Sequence, residues 1–226
     1  MRLAFLSAGA AQGLVTTIAA EAGIEIAGTF SAVGAIREKF LAGEPCDIVI
    51  LTQAQVAELA ARGLVVGETC ADLGTVRTSI AVKSGSAVPD IRSEDALRAT
   101  LLAADVLYFP DPEKATAGIH FMKVLEALGI RQQVASKLKT YPNGTTTMRE
   151  MALAGGNPVG CTQATEILAT PGITLVGGLP KSLELATTYT AAVGAAATNR
   201  KAAATFVARI SGRESQALRQ RAGFLP

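Results

Sequence analysis

The stretch that decides the fold is residues 3–34, LAFLSAGAAQGLVTTIAAEAGIEIAGTFSAVG. Leu3 to Ser7 is a short apolar run that predicts a strand, and a helical pattern follows from about Ala11 to Glu21. Gly23 ends that helix, and Ile24-Glu25-Ile26 predicts a second strand. A strand, a helix and a strand in this order predict parallel pairing, with the helix packed on one face of the sheet.

The same alternation continues along the chain, which predicts an α/β fold of two successive βα sets. The further predicted helices lie near residues 32–41, 53–62, 93–103, 115–128, 145–154, 199–211 and 214–222, with a short helix near Gln132. The further predicted strands lie near residues 46–51, 75–82, 106–109, 138–141, 159–161, 173–176 and 185–193. Because no linker rich in Pro, Gly or Ser separates the two sets, strands are expected to carry the chain between them.

Composition limits the kinds of partner. The 226 residues are 49% apolar, which is enough for a sizeable core, and the formal net charge is only +2. No run of like charges forms a basic stripe, so a nucleic-acid partner is not expected. A membrane span is not predicted, because the sequence contains no stretch of about 20 apolar residues. The three cysteines are far apart, and neither a P-loop nor a metal-ligand spacing occurs, so no metal and no cofactor are predicted.

Polar turns follow the first two predicted strands. Ser7-Ala8-Gly9-Ala10 comes after the first, and Thr29-Phe30-Ser31-Ala32-Val33-Gly34 comes after the second. Ligands of parallel sheets bind beyond the carboxyl ends of the strands, where helix N-termini direct backbone N–H groups outward. Each serine is interpreted either as an ordinary helix N-cap or as a ligand donor. Two such turns on adjacent strands can direct their donors to one anion.

The second βα set contains two similar turns. Residues 111–118 place Thr116 at a helix start, and residues 141–147 place several hydroxyl groups at another. His120, the only histidine, and Glu166 are weak candidates for a catalytic acid or base, and a structural role is the alternative for each.

At these turns the chain resembles the molybdate-binding branch of the type II periplasmic solute-binding proteins over nearly its whole length. The similarity lies in the order and spacing of several short pieces: Leu6 to Ala10, Phe30 to Gly34, Ala42 to Ile50, Asp111-Pro112 with Ala117-Gly118-Ile119, Pro158-Val159-Gly160 and Ala222-Gly223-Phe224.

The resemblance implies a two-lobed fold in which each lobe is a mainly parallel sheet flanked by helices. It places lobe 1 at residues 1–77 and 188–226, lobe 2 at 78–187, and hinge strands near 75–79 and 186–189. It also implies a monomer that binds a small oxyanion or carboxylate in a cleft between the lobes by hinge closure. The ligand-binding residues predicted from the turns and the resemblance together are Ser7, Ala8, Gly9, Ser31, Val33, Gly34, Thr116, Ala117, Asn143, Thr145, Thr162 and Gln163.

Two features depart from the family pattern. Gln163 stands where the molybdate binders have a tyrosine, which suits a carboxylate as well as a metal oxyanion. The N-terminus lacks the pattern of a signal peptide, which predicts a cytoplasmic protein as written, or a periplasmic one with an ABC transporter permease as partner if a leader has been removed. The chain is also similar to aconitate isomerase of the same superfamily. An isomerase acting on a di- or tricarboxylate is therefore the alternative function.

Overall fold

The computed structural model describes residues 1–226, and the chain divides into two compact units. Unit 1 consists of Met1–Val76 and Thr187–Pro226, and unit 2 is the continuous segment Arg77–Ala186. The boundaries predicted from the sequence lie one residue further along the chain at both crossings. No helix has the length and apolar character needed to cross a membrane.

Strands and helices alternate along most of the chain. The strands are β1 (Arg2–Ala8), β2 (Glu25–Ser31), β3 (Ile48–Thr52), β4 (Ala71–Lys83), β5 (Val106–Pro110), β6 (Leu138–Tyr141), β7 (Pro158–Gln163), β8 (Ile173–Gly178) and β9 (Ala186–Val193). The helices are α1 (Gln12–Glu21), α2 (Val33–Leu41), α3 (Gln53–Ala61), α4 (Glu94–Ala103), α5 (Thr116–Ala127), α6 (Gly144–Leu153), α7 (Ala164–Leu168), α8 (Arg200–Ser211) and α9 (Gln216–Arg221).

Unit 1 is built on the sheet order β2-β1-β3-β9. β1 pairs in parallel with β2 and with β3, whereas β9 runs antiparallel to β3. The α1 helix ends as its sequence predicts, because Gly23 takes a positive φ of 63° and lets the Ile24 amide donate to the carbonyl of Ala19. In the core, the Phe5 and Phe206 rings pack edge to face with centroids 5.4 Å apart, which joins β1 to α8.

Unit 2 has a core on each face of its sheet, whose strand order is β8-β4-β7-β5-β6. β5 pairs in parallel with β6 and β7, and β4 runs antiparallel to β7 and β8. One face buries Ile80 and Cys161 against Phe121 and other residues of α5. The opposite face buries a smaller cluster that includes Met148 of α6. The position of a strand residue therefore decides which helix it faces.

The α/β fold class is confirmed, with three differences from the predicted elements. β2 continues to Ser31, so residues 29–31 are strand and not turn. The antiparallel pairs all involve β4, the strand that carries the chain from unit 1 into unit 2, or β9, which carries it back. The predicted helix near Gln132 is wrong: the chain forms turns there, followed by a single 3-10 turn at Ala135–Lys137.

Candidate functional site

The first two predicted binding turns lie side by side at the carboxyl edge of the unit 1 sheet. Ala8 is the direct partner of Ser31 in the parallel β1–β2 pair, so the two backbones are about 4.8 Å apart there. Ser7 is completely buried, and its hydroxyl donates to the carbonyl of Ala8 at 3.0 Å. Ser31 is half-buried at the last position of its strand.

Neither serine caps a helix, so the N-cap interpretation of both serines is wrong. The residues that precede α1 and α2 are Ala11 and Ala32, and no side chain caps either helix. The third βα turn of the same edge differs, because Thr52 and Gln55 form a reciprocal capping box at the start of α3. The first amides of α2 are therefore left for a partner other than a capping side chain.

In unit 2, the start of α5 is arranged in a similar way. Asp111 Oδ1 accepts from the amides of Glu113 and Lys114 at 2.7 and 3.0 Å, which fixes the turn after β5. The helix then begins at Thr116 with no side-chain cap. A Cβ atom at Gly118 would lie 2.2 Å from the Pro110 carbonyl oxygen, so only glycine lets the first turn of α5 approach the end of β5 this closely. Thr116 and Ala117 lie in this uncapped first turn.

The amides at the start of α6 have hydrogen-bond acceptors within unit 2. Asn143 Oδ1 accepts from the Thr146 amide at 2.8 Å and caps the helix. The carboxylate of Glu166, which is only 6% exposed, accepts from the Thr162 hydroxyl at 2.6 Å and from the amides of Gly144, Thr145 and Gln163. An internal carboxylate therefore occupies the position at this helix N-terminus that an external anion would take.

Burial and hydrogen bonding have opposite effects on the pKa of the Glu166 carboxyl group. Removal from water raises the pKa of its carboxyl above the usual value, and the four hydrogen bonds from Thr162 and the backbone amides only partly offset that rise. The approach is close enough to require glycine at position 144, where a Cβ would lie 1.9 Å from Glu166 Oε2. Asn143, Thr145 and Thr162 thus hold an internal network together.

Gln163, the last residue of β7, has the opposite character. It is 3% exposed, and neither Nε2 nor Oε1 of its amide has a hydrogen-bond partner. Thr78 lies directly opposite on the antiparallel β4, and its buried hydroxyl is also unpaired, as is that of Thr165. Sequence reasoning missed Thr78, because the register that pairs it with Gln163 joins residues 85 positions apart. It also missed Thr165, which follows Gln163 by two residues in α7.

His120 has a structural partner. Its Nε2 lies 2.7 Å from the carbonyl oxygen of Leu183, so this nitrogen carries the proton and donates. The histidine therefore attaches α5 to the segment before β9. Both candidate acid–base residues, His120 and Glu166, therefore form hydrogen bonds inside unit 2.

A cavity of about 840 Å³ lies at the opposite, amino edge of the unit 1 sheet, and Arg2, Cys46 and Asp47 are among its lining residues. The Asp47 carboxylate is committed to structure there, since it accepts from the amides of Ala4 and Asn199, both at 2.9 Å. Burial alone would raise the pKa of this carboxyl, but these amide donors outweigh it and hold the pKa below its usual value. The cavity is remote in the sheet from the polar turns and shares none of their residues.

The fold is that of an α/β protein of two units, between which the chain crosses on strands. A model of the bacterial extracellular solute-binding protein family matches residues 6–225, and the chain belongs to that family. The two-lobed fold class and the resemblance to molybdate-binding proteins, both predicted from the sequence, are confirmed.

Two solved structures share this fold, and one enzyme is similar to the chain in sequence. The periplasmic molybdate-binding protein of Azotobacter vinelandii has a similar fold, with a TM-score of 0.76 at 14% identity over 99% of each chain. The sulfate-binding protein of Mycobacterium tuberculosis gives a TM-score of 0.73 at 17% identity over 100% of this chain and 87% of its own. Aconitate isomerase from a Pseudomonas species is 24% identical over 193 residues, which are 85% of this chain and 72% of that protein.

Proposed function

We propose that this protein binds one small oxyanion or carboxylate through backbone amides and neutral side chains. The observation that carries the proposal is the pairing of Ala8 with Ser31, which places the ends of β1 and β2 together beside the uncapped start of α2. Helix N-termini and hydroxyl groups stabilise an anion without a full positive charge. The proposed ligand-contacting residues are Ser7, Ala8, Gly9, Ser31, Val33 and Gly34 in unit 1 and Thr116, Ala117 and Gln163 in unit 2.

The remaining predicted residues have a different part in the proposal. Asn143, Thr145 and Thr162 are engaged with α6 and Glu166, so we assign them a supporting role. They hold the end of β7 in place, and thereby the backbone of Gln163. Direct contact of these three with ligand is therefore not needed for binding.

The family assignment supports two further parts of the proposal. A bacterial extracellular solute-binding protein delivers its ligand to a membrane transporter, so we propose an ABC transporter permease as the partner and a site of action outside the cytoplasm. Fractionation of cells that express the natural gene, with detection of the protein in the periplasmic or cytoplasmic fraction, tests the location. A monomer, as predicted from the resemblance, is tested by light scattering.

A thermal-shift screen tests the function. The purified chain is heated with molybdate, tungstate, sulfate, phosphate, citrate, cis-aconitate, trans-aconitate and simple dicarboxylates in turn. Ligand at about 100 times its dissociation constant stabilises the folded state by roughly 2.7 kcal/mol, which raises the melting temperature measurably. Stabilisation by members of this panel supports the proposal, and no stabilisation by any member contradicts it.

Substitution of the two serines tests the site. We expect Ser31→Ala to weaken anion binding about tenfold, because it removes one hydrogen bond to a charged group, worth roughly 1.5–3 kcal/mol. We expect a smaller effect of Ser7→Ala, because the Ser7 hydroxyl donates to the Ala8 carbonyl in the absence of ligand. Isothermal titration calorimetry with the anion found in the screen measures the change. Thr52→Ala is the matched control, since its hydroxyl lies at the same sheet edge but caps α3. Unchanged affinity in both serine variants would contradict the assigned site.

Isomerisation of a tricarboxylate is the second candidate function, and the similarity to aconitate isomerase favours it. Such a reaction needs a positioned base. Incubation with cis- or trans-aconitate, followed by ultraviolet absorbance and chromatography, detects interconversion. Interconversion by the unmodified chain, together with its loss in His120→Asn or Glu166→Gln variants that still fold, would establish the isomerase. Tight binding without turnover would support the solute-binding protein.

A further inference from the structure

The unpaired polar atoms of unit 2 carry information about the ligand. Four buried side-chain atoms have no hydrogen-bond partner: Thr78 Oγ1, Gln163 Nε2, Gln163 Oε1 and Thr165 Oγ1. A buried polar atom left without a partner is costly, so proteins rarely keep one without a reason. Here the atoms belong to neighbouring residues, because Thr78 faces Gln163 across the β4–β7 pair and Thr165 follows two residues later.

The topology places Gln163 close to the binding turn of unit 2. Directly opposed residues of an antiparallel pair project on the same face, so Gln163 and Thr78 share a face with the next pair in phase, Cys161 and Ile80. That face is covered by α5, since Cys161 and Ile80 belong to the core that contains Phe121. Because β5 and β7 are parallel neighbours, the start of α5 and Gln163 lie at the same carboxyl edge.

The chemistry of the amide then constrains the ligand. A glutamine side chain offers two N–H donors and one carbonyl acceptor. An anion oxygen satisfies Nε2, but a fully deprotonated oxyanion has no hydrogen with which to satisfy Oε1. Exchange of the two amide atoms by rotation does not change this, since both atoms are unpaired. A ligand pairs with both only if it has a hydrogen-bond donor of its own, and in the oxyanions and the di- and tricarboxylates of the proposed function that donor is an O–H group.

We propose that Gln163 selects an anion that also carries an O–H group, either a hydroxycarboxylate or a hydrogen phosphate, over an anion of similar shape without one. The inference rests on the proposed anion-binding function and names the ligand class of the same site. A site that hydrogen-bonds a substrate hydroxyl discriminates strongly against the analogue that lacks it, because the polar group of the protein is then left unpaired.

Matched ligand pairs test the proposal by calorimetry on the full chain. Malate against succinate and citrate against tricarballylate differ by one hydroxyl, and phosphate against sulfate differs by the acidic proton at neutral pH. We expect the O–H member of at least one pair to bind about tenfold or more tightly. A preference in the carboxylate pairs identifies a hydroxycarboxylate, and a preference confined to phosphate identifies the phosphate class.

Variants assign the preference to the amide. Gln163→Met keeps the side-chain length and removes both polar atoms, so we expect the ratio of the two affinities in the preferred pair to fall to about one. Gln132→Met, the same change at an exposed position, should leave the ratio unchanged. Thr78→Val is a second variant for the site if Gln163→Met unfolds, and circular dichroism checks the fold of each.

Two results would overturn the inference. Equal or tighter binding of succinate, tricarballylate and sulfate to the unmodified chain would show that no O–H group is selected, while leaving the proposed anion binding intact. A preference that survives in Gln163→Met would show that the Gln163 amide does not select the ligand. Failure of every anion in these pairs and in the thermal-shift panel to bind would overturn the proposed function as well.

Discussion

Two buried polar side chains, Gln163 at the end of β7 and Glu166 in α7, differ in whether they have hydrogen-bond partners. Glu166 accepts hydrogen bonds from the Thr162 hydroxyl and from the amides of Gly144, Thr145 and Gln163, so its environment is complete without a ligand. Gln163, three residues earlier, has no partner for either amide atom. The acidic group is thus structural and the neutral group is available, which reverses the assignment that charge alone would suggest.

The stability of the chain should report the raised pKa of Glu166. The folded state holds the proton more tightly than the unfolded chain, so this group stabilises the fold less as the pH rises from about 4.5 through the folded-state pKa. We expect the unfolding free energy of the unmodified chain, minus that of Glu166→Gln, to decrease between pH 4.5 and pH 8. Urea titrations at several pH values measure the difference.

The same comparison distinguishes the two opposing effects on Glu166. A difference that increases with pH would show that the four hydrogen bonds outweigh burial and that the carboxylate is the favoured form. Taking the difference between the two chains removes the contributions of other titrating groups, provided that they lie far from the substitution.

At the scale of elements, some helices have a side chain that caps the N-terminus and others do not. In unit 1, α3 has the Thr52–Gln55 capping box, whereas α1 and α2 have no capping side chain. In unit 2, α4 is capped by Ser93 and α6 by Asn143, whereas α5 is not. The uncapped helices α1, α2 and α5 follow three of the four predicted ligand turns, whereas α6, which follows the fourth, is capped; α7, α8 and α9 also lack a capping side chain. Amides without an internal cap are the groups that a bound anion can satisfy.

The caps predict effects of different size on the unfolding free energy for two substitutions at one sheet edge. Thr52→Ala should lower the unfolding free energy by about 1 kcal/mol, because it removes the N-cap of α3. Ser31→Ala should change it by less than about 0.5 kcal/mol in the absence of ligand, because no helix depends on that hydroxyl. Chemical denaturation of both variants measures the effects. Equal destabilisation would show that Ser31 has a structural role.

At the scale of the whole molecule, the two units differ in continuity. Unit 2 is one uninterrupted segment with a core on each face of its sheet. Unit 1 needs both ends of the chain, since β9 pairs with β3 and Phe206 of α8 packs on Phe5. Closure of the two units on a ligand, implied by the resemblance, stays a prediction, and small-angle scattering with and without the bound anion tests it.

The continuity of each unit along the chain predicts which fragments fold alone. The fragment Arg77–Ala186 should unfold cooperatively in urea, because its core is built from its own residues. The fragment Met1–Val76 should be unfolded, because it lacks β9 and α8, and thus the Phe206 ring that covers Phe5. Circular dichroism of the separate fragments checks both outcomes. A folded Met1–Val76 fragment would contradict the assigned role of the C-terminal segment.

The sequence by itself determined the α/β class, the positions of nearly all helices and strands, and the placing of Ser7 and Ser31 at adjacent strand ends. These features depend on local periodicity and on Gly and Pro signals, which act over a few residues. Short segments such as residues 3–34 are therefore enough to predict the fold class, because the spacing of their apolar residues differs between strand and helix.

Only the tertiary structure decided what each polar residue of the site does. Whether Ser31 caps α2, whether Glu166 is free, and whether Gln163 has a partner depend on contacts between segments far apart in the chain. Glu166 meets the start of α6 about 20 residues away, and Thr78 meets Gln163 through a strand register that local sequence does not specify. Hydrogen bonding over such separations is fixed by packing and not by propensity, which is why similar turns have an internal carboxylate at the start of α6 and no side-chain cap at the starts of α2 and α5.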